Sequence, residues 1–289
     1  MFRGSIVALV TPWKGDRVDE AAVKKLVEWH IEQGTDVIIP CGTTGESPAF
    51  SHEEQHAMIA CTVQAAAGRV PVVAGAGSNN TREAVSLAKA AEQHGAQGIL
   101  SVTPYYNKPT PEGLFQHYKA IGEACGLPVI LYNVPGRTGC NMLADTCARI
   151  AESINVAAVK EASGDLDQVQ RLLDLGLEVL SGDDALTLPM MCLGGTGVIS
   201  VVANFAPRLM KDLVEAVRAC DLATARVLHA KVWELAQVAF CETNPIPAKT
   251  ACAALGFCTE EFRLPLVPMT EVNKARLLGA MKRHQLLGA

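Results

Sequence analysis

Short, nearly unbroken apolar runs alternate along this chain with longer stretches in which apolar residues recur every three to four positions. Apolar runs of strand length, flanked by turn residues, predict strands buried on both faces. The longer periodic stretches predict helices with one apolar face. Strands are expected over 5–10, 36–40, 70–76, 98–102, 128–133, 177–181 and 197–202, with one more in the run that opens at Val156 and breaks at Ser163-Gly164. Helices are expected over 20–33, 51–67, 81–94, 112–124, 143–152, 166–175, 185–193 and 207–219.

Eight strand–helix units of about 25–30 residues each are what a (β/α)8 barrel requires. A doubly wound open sheet also alternates, but no G-x-G-x-x-G follows the first strand to support it. Beyond Asp221 the strand signal stops, and helices are expected over 222–240, 247–255 and 271–287. The expected fold is therefore α/β, a (β/α)8 TIM barrel over 1–220 with a C-terminal helical appendage over 221–289.

Of 289 residues, 49% are hydrophobic and 19% charged, enough for a large core and against disorder. The net charge of −5 comes with no basic stripe, which argues against a nucleic-acid partner. No apolar run is long enough to span a membrane. The first residues lack the charged start and long apolar middle of a secretory signal, so a cytoplasmic protein is expected. Ten cysteines are scattered through apolar segments without a C-x-x-C pair, which fits reduced, mostly buried thiols.

In a barrel, the residues at the strand C-termini converge on one mouth. Here they are Thr43, Thr44, Pro104-Tyr105-Tyr106, Tyr132-Asn133, Lys160 and Ser181-Gly182-Asp183. Lys160 is the single cation in its apolar run. A free lysine amine titrates near ~10.4; making it half neutral at pH 7 costs about 4.6 kcal/mol, a shift that burial supplies. A neutral amine attacks a ketone and forms a Schiff base. The alternative is a lysine whose head reaches water off the strand end. The loop Gly42-Thr43-Thr44-Gly45 offers N–H groups and two hydroxyls to a carboxylate or phosphate, without the Lys-Ser/Thr ending of a P-loop; it also reads as a plain tight turn. Tyr106 and Tyr132 can relay protons or serve as core residues. Arg137 sits in a Pro-Gly turn just past Tyr132, as a carboxylate clamp or a surface ion pair. Asp183-Asp184 reads as helix capping before metal binding.

His52-Glu53-Glu54-Gln55-His56 matches H-E-x-x-H, the zinc-protease pattern. The stretch opens a helix, however, with Ser51 and Glu54 forming a capping box, and the extended metalloprotease motif is absent. No metal site is expected.

In order and spacing, the motifs resemble the dihydrodipicolinate synthase family, of the pyruvate-dependent class I aldolase superfamily. They are GTTGE at 42–46, TPYYNKP at 103–109, LYNVPGRTG at 131–139, VKEASG at 159–164, SGDD at 181–184, GVISV at 197–201 and NPIP at 244–247. The resemblance spans essentially the whole chain. It implies condensation of pyruvate with L-aspartate-4-semialdehyde on the way to diaminopimelate and lysine. It implies no metal or organic cofactor, because the protonated imine is itself the electron sink. By the same resemblance Lys160 forms the imine, Thr43 and Thr44 hold the pyruvate carboxylate and position Tyr132, and Arg137 holds the semialdehyde carboxylate. Thr43, Tyr132 and Tyr106 form a proton relay, Tyr106 coming from a neighbouring subunit of a homotetramer built as a dimer of dimers. Backbone near Gly182 and Ile199 completes the pocket. Arg137 and Tyr106 favour the synthase over its sibling N-acetylneuraminate lyase, which handles a bulky sugar acid.

Two departures from the family pattern stand out. Pro40-Cys41 precedes the GTTGE loop where small or branched apolar residues are expected, and places a thiol near the site. In feedback-regulated members lysine binds at a dimer interface, at positions matching Ser47, Pro48, His52, Gln55, Asn79, Glu83 and Tyr105. Pro48 and Gln55 stand where alanine and histidine are common in strongly inhibited members. Weak or partial inhibition by lysine is expected.

Overall fold

The protein is described by a computed structural model covering residues 2–287; Met1 and residues 288–289, which the expected bounds 1–220 and 221–289 take in, lie outside the described residues. The strands are β1 (Gly4–Ala8), β2 (Trp13–Lys14), β3 (Arg17–Val18), β4 (Val37–Ile39), β5 (Val73–Gly75), β6 (Gly98–Val102), β7 (Val129–Asn133), β8 (Val156–Glu161), β9 (Val179–Ser181) and β10 (Gly197–Ser200). The helices are α1 (Glu20–Glu32), α2 (His52–Ala66), α3 (Thr81–Gln93), α4 (Pro111–Ala124), α5 (Pro135–Thr138), α6 (Ala144–Ala151), α7 (Leu166–Asp174), α8 (Thr187–Leu193), α9 (Pro207–Arg218), α10 (Leu222–Ala239), α11 (Ile246–Ala254) and α12 (Glu271–Arg283).

Eight strands pair in parallel in the order β4-β1-β10-β9-β8-β7-β6-β5. The two ends of that sheet meet. Ile38 bridges Val72 in parallel, the Ile38 N–H donates to the Pro71 carbonyl, and the Gly75 N–H donates to the Pro40 carbonyl. The sheet is thus closed, which settles the choice between a TIM barrel and an open sheet with two free edges.

Closure gives every strand two buried faces, and this is why the runs read as continuously apolar. One parity fills the barrel: Ile6 and Ala8, Val37 and Ile39, Val73, Leu100, Ile130, Ala158, Leu180 and Ile199 form a single inner cluster. The other parity, with Val7, Ile38, Ala74, Ile99, Leu131, Val159 and Val198, packs under the helices. Each fully buried Val, Leu or Ile contributes about 1.5–3 kcal/mol. Helix starts are fixed by side chains that take up orphan N–H groups: Asp19 from Ala22, Thr110 from Gly113, Asp165 from Asp167 and Gln168. The capping box of Ser51 and Glu54 forms as expected.

Several expectations need correction. The first strand ends at Ala8, not Val10, because the Val10 N–H leaves the ladder to donate to Asn204 Oδ1. The hairpin of β2 and β3 was not foreseen; two-residue strands carry no readable period. The helix expected over 185–193 divides into a 3-10 turn, Asp184–Leu186, and α8. The last helix stops at Arg283, ahead of Gln285, whose φ of 58° is left-handed. The C-terminal helical region is present as expected, packed against the barrel. α10 packs on α9 and on the turn at 184–186, and α11 packs on the 3-10 turn Val202–Asn204 beyond β10. Among the described residues no helix is long and apolar enough to cross a membrane.

At Gly75 on β5, a Cβ would overlap the Cys41 carbonyl of the facing strand end. Gly75→Ala is expected to destabilise the fold by about 1–3 kcal/mol, as overpacked sites do. Urea unfolding checks this, and an unchanged midpoint would show that β4 and β5 do not close in solution as drawn here.

Candidate active site

Lys160 lies inside the barrel because of one extra residue. β7 and β8 pair at Val129–Val156 and then at Ile130–Ala158, so Ala157 is a bulge. From there Leu131 faces Val159, and Tyr132 faces Lys160. Paired residues of parallel strands share a face, so Lys160 joins Tyr132 on the inner face above Ala158 and Ile130. Without the extra residue every side chain beyond it would change face, and Lys160 would point under the helices. Glu161, one residue on, points outward. It accepts from Asn133 Nδ2, from the Ser163 N–H (2.7 Å) and from Gln168 Nε2. Asn133 Oδ1 in turn accepts from the Met142 N–H. This network ties together the ends of β7 and β8 from outside.

Lys160 as a residue is 6% exposed, and its amine sits 4.1 Å from the centroid of the Tyr132 ring. Among the described residues neither it nor Arg137 makes an ion pair. Burial pushes the Lys160 pKa down to about 7; the Asp184 carboxylate acts against that shift, and Arg137 adds to it. Asp184 is itself buried and pushed up to about 6 by desolvation, although it accepts from the Ser200 hydroxyl and from the N–H groups of Val201 and Val202. Those bonds lace the loop after β9 to the end of β10. Asp183 is a cap, accepting from the Ala185 N–H. Burial pushes the Tyr132 phenol up to about 12, with Arg137 and the Thr43 hydroxyl acting the other way. The tyrosine therefore holds its proton at neutral pH.

Above Lys160 opens a cavity of about 310 Å3 lined by Thr43, Thr44, Tyr132, Arg137, Lys160 and Gly182. A Cβ on Gly182 would press within 3.2 Å of Lys160 Cε and 2.7 Å of the Ala162 side chain, so glycine is needed for the lysine to pass. Arg137 is exposed on the one-turn helix α5 and faces the cavity without a protein partner of opposite charge. Ile199 lies lower, in the inner cluster beneath the mouth. Tyr106 lines no part of this cavity. Its φ is 73°, its side chain is 90% exposed, and its N–H is tied to the Thr138 carbonyl. Four lining residues come from the C-terminal region: Ala236, Gln237, Phe240 and Asn244, the last donating to Thr44 Oγ1 at 3.0 Å. Sequence reasoning gave none of these a role, although the NPIP motif at 244–247 marked the place.

The sequence matches the Dihydrodipicolinate synthetase family over residues 1–284. A 4-hydroxy-tetrahydrodipicolinate synthase of Geobacter sulfurreducens is 51% identical over 290 residues, covering 99% of this chain and 100% of the relative. The dihydrodipicolinate synthase of Acinetobacter baumannii, solved in its chloride-inhibited form in complex with pyruvate, superposes with a TM-score of 0.97 at 47% identity, over 99% of this chain and 100% of that one. The enzyme from Cyanidioschyzon merolae, solved with lysine bound, superposes with a TM-score of 0.95 at 41% identity, over 99% of each. The chain belongs to the dihydrodipicolinate synthetase family.

Members of this family share the barrel, and here a second cavity of about 340 Å3 opens on the far side of Thr43, Val134 and Arg137. Ser47, Pro48, His52, Gln55, Glu83 and Tyr105 line it. Asn79 is nearby, donating to the Tyr105 carbonyl. Glu83 accepts from Ser78 Oγ and pairs with His52 Nε2 at 2.8 Å; both contacts hold its carboxyl below the usual range. Gln55 Nε2 donates to the Gly75 carbonyl at 2.8 Å. Within the H-E-x-x-H stretch His52 pairs with Glu83, and Glu54, which lies between the two histidines, binds Ser51 and Arg263. Cys41 is buried beside the loop, and desolvation pushes its thiol pKa far up, away from a nucleophile.

The depressed Lys160 pKa has a stability consequence of definite sign. Below about 7 both folded and unfolded chains carry the charge, and the folded one bears its full burial cost. Between about 7 and the ordinary lysine value only the unfolded chain holds the proton, so stability rises with pH, by about 4–5 kcal/mol across the window. Lys160→Met should therefore be more stable than wild type at pH 6, with the gap closing as pH approaches ~10. Urea midpoints of both proteins across that range check it; a constant gap would mean that the amine is not desolvated.

Proposed function

We propose that this chain carries 4-hydroxy-tetrahydrodipicolinate synthase activity, joining pyruvate to L-aspartate-4-semialdehyde in diaminopimelate and lysine biosynthesis. The observation that carries the chemistry is one buried amine, held near neutrality, at a mouth lined with hydroxyls and one unpaired guanidinium. The neutral Lys160 amine adds to the pyruvate keto carbon; loss of water with uptake of one proton, delivered through Tyr132, gives an iminium ion. That cation withdraws electrons from the methyl group, which loses a proton to give an enamine. The enamine carbon attacks the aldehyde carbon, forming the new C–C bond and regenerating the iminium while the aldehyde oxygen takes up a proton. The amino group of the semialdehyde then adds to the iminium carbon and expels the Lys160 amine, closing the ring and freeing the lysine. Metal and organic cofactors have no part in these steps.

The remaining roles are assigned as follows. Lys160, Tyr132, Thr43 and Tyr106 are the catalytic set. Tyr132 passes protons with Thr43, and Tyr106 completes the relay from a neighbouring copy of the chain. In favour of that last step, Tyr106 is almost wholly exposed and out of reach of its own Lys160 cavity. It follows that the active form is an assembly, taken to be a homotetramer made as a dimer of dimers, in the cytoplasm. Thr44 and the loop N–H groups receive the pyruvate carboxylate, Arg137 receives the semialdehyde carboxylate, and backbone at Gly182 and near Ile199 shapes the floor.

Borohydride in the presence of pyruvate should attach a pyruvate-derived mass to the peptide that holds Lys160. The labelling rate should fall as pH drops through about 7, because the amine takes up its proton. A label on another residue, or none, sinks the proposal. In an assay coupled to the next reductase, Arg137→Ala should lose about 2–5 kcal/mol of recognition of the semialdehyde. A preference for a sugar-acid acceptor would instead favour another keto-acid aldolase.

The second cavity is proposed to take lysine weakly. Glu83 already accepts from two partners and Gln55 has committed its amide to Gly75, so a ligand ammonium and carboxylate meet groups that must first be released. Initial rates against lysine should level off at a residual activity. Complete inhibition at sub-millimolar lysine would contradict this.

A further inference from the structure

Imine chemistry does not call for the buried ion pair between Glu46 and Lys249. Glu46 ends the GTTGE loop with a left-handed φ of 60°. Lys249 lies on α11, and its amine is 2.7 Å from Glu46 Oε1 with both side chains fully buried. The amine also faces the rings of Phe262 at 5.0 Å and Trp13 at 5.5 Å. A buried ion pair is seldom the most stable way to join two elements, since apolar side chains of equal volume do as well or better. What the pair adds is direction, because the carboxylate has one position in which its charge is answered.

The loop is held at three successive residues, all from outside itself. Asn244 Nδ2 donates to Thr44 Oγ1, Thr11 Oγ1 donates to the Gly45 carbonyl at 2.7 Å, and Lys249 holds Glu46. The first bond has a polarity consequence. With its oxygen accepting from Asn244, the Thr44 hydroxyl keeps its own hydrogen to donate elsewhere, and Thr44 lines the cavity.

We propose that the start of α11 positions the carboxylate-binding loop: Lys249 through Glu46, and Asn244 through Thr44, aim the Thr43–Thr44 hydroxyls and N–H groups at the pyruvate carboxylate. Lys249, Glu46 and Asn244 are positioning residues, and the inference rests on the synthase reading above.

The test uses the full-length protein, pyruvate as probe and borohydride trapping at Lys160, beside steady-state kinetics with the semialdehyde and thermal melts. Glu46→Gln/Lys249→Met neutralises both charges together, so neither is left buried alone. The expected result is a pyruvate half-saturation raised about tenfold or more, with the semialdehyde KM within about twofold of wild type and the melting temperature near the wild-type value. Asn244→Ala leaves the ion pair intact and should raise the pyruvate half-saturation about three- to tenfold with the same selectivity; it decides alone if the double variant does not fold. A folded variant with unchanged pyruvate half-saturation overturns the inference, as does an equal loss for both substrates. Wild-type protein that takes no pyruvate label overturns the synthase reading, and this inference with it.

Discussion

The organising constraint is that the Lys160 amine is denied water. An ammonium ion in that position meets an aromatic face, a guanidinium and apolar barrel walls, with no carboxylate in ion-pair contact. Asp184 lies close enough to favour the charge, yet burial outweighs it and the balance settles near neutrality. A closer carboxylate would restore the cation, and a drier site would push the amine further toward its neutral form. The opposed influences of Asp184 and desolvation therefore leave the amine poised between its neutral and its charged form near pH 7.

That environment depends on backbone geometry before it depends on any side chain. The bulge at Ala157 selects the face on which Lys160 lies, and barrel closure through Ile38 and Val72 makes that face an interior. Gly182 leaves the gap through which the lysine stem passes. On the outer face, Glu161 binds Asn133, Ser163 and Gln168, so the strand end that carries Lys160 cannot rotate without breaking a buried network. Adjacent residues of β8 thus do opposite work: one is kept unpaired, and the next is fully satisfied.

Much of this was legible in the sequence, for identifiable reasons. Strands buried on both faces read as unbroken apolar runs, and the helices between them carried an apolar face, so the eight units and the helical C-terminal region could be counted. Lys160 stood out as the one cation in such a run, and Ser51 with Glu54 declared a helix start. The Ala157 bulge was not legible, because Val156-Ala157-Ala158-Val159 is equally apolar in either register. Closure of the barrel, the short hairpin at Trp13 and the bond from Asn244 to Thr44 are long-range or too brief for a local pattern to carry. Tyr106 was legible as a residue type at a strand end, but its outward direction is set by a left-handed backbone that no tyrosine announces.

The left-handed residues also say how the mouth is kept in shape. Among the described residues seven non-glycine positions have positive φ, and four of them, Cys41, Glu46, Tyr106 and Lys108, fall in the two loops that leave β4 and β6. Such conformations cost about 1–3 kcal/mol each and persist only where their surroundings over-determine them. Here the surroundings can be named. Gly75 packs its Cα against the Cys41 carbonyl, Lys249 holds the Glu46 carboxylate, and the Thr138 carbonyl takes the Tyr106 N–H. These restraints come from β5, from α11 and from the helix α5 that carries Arg137, which are three separate parts of the chain. The loops at the mouth are therefore rigid by cross-bracing rather than by their own propensity, and the helices beyond residue 220 belong to the site as much as the strands do.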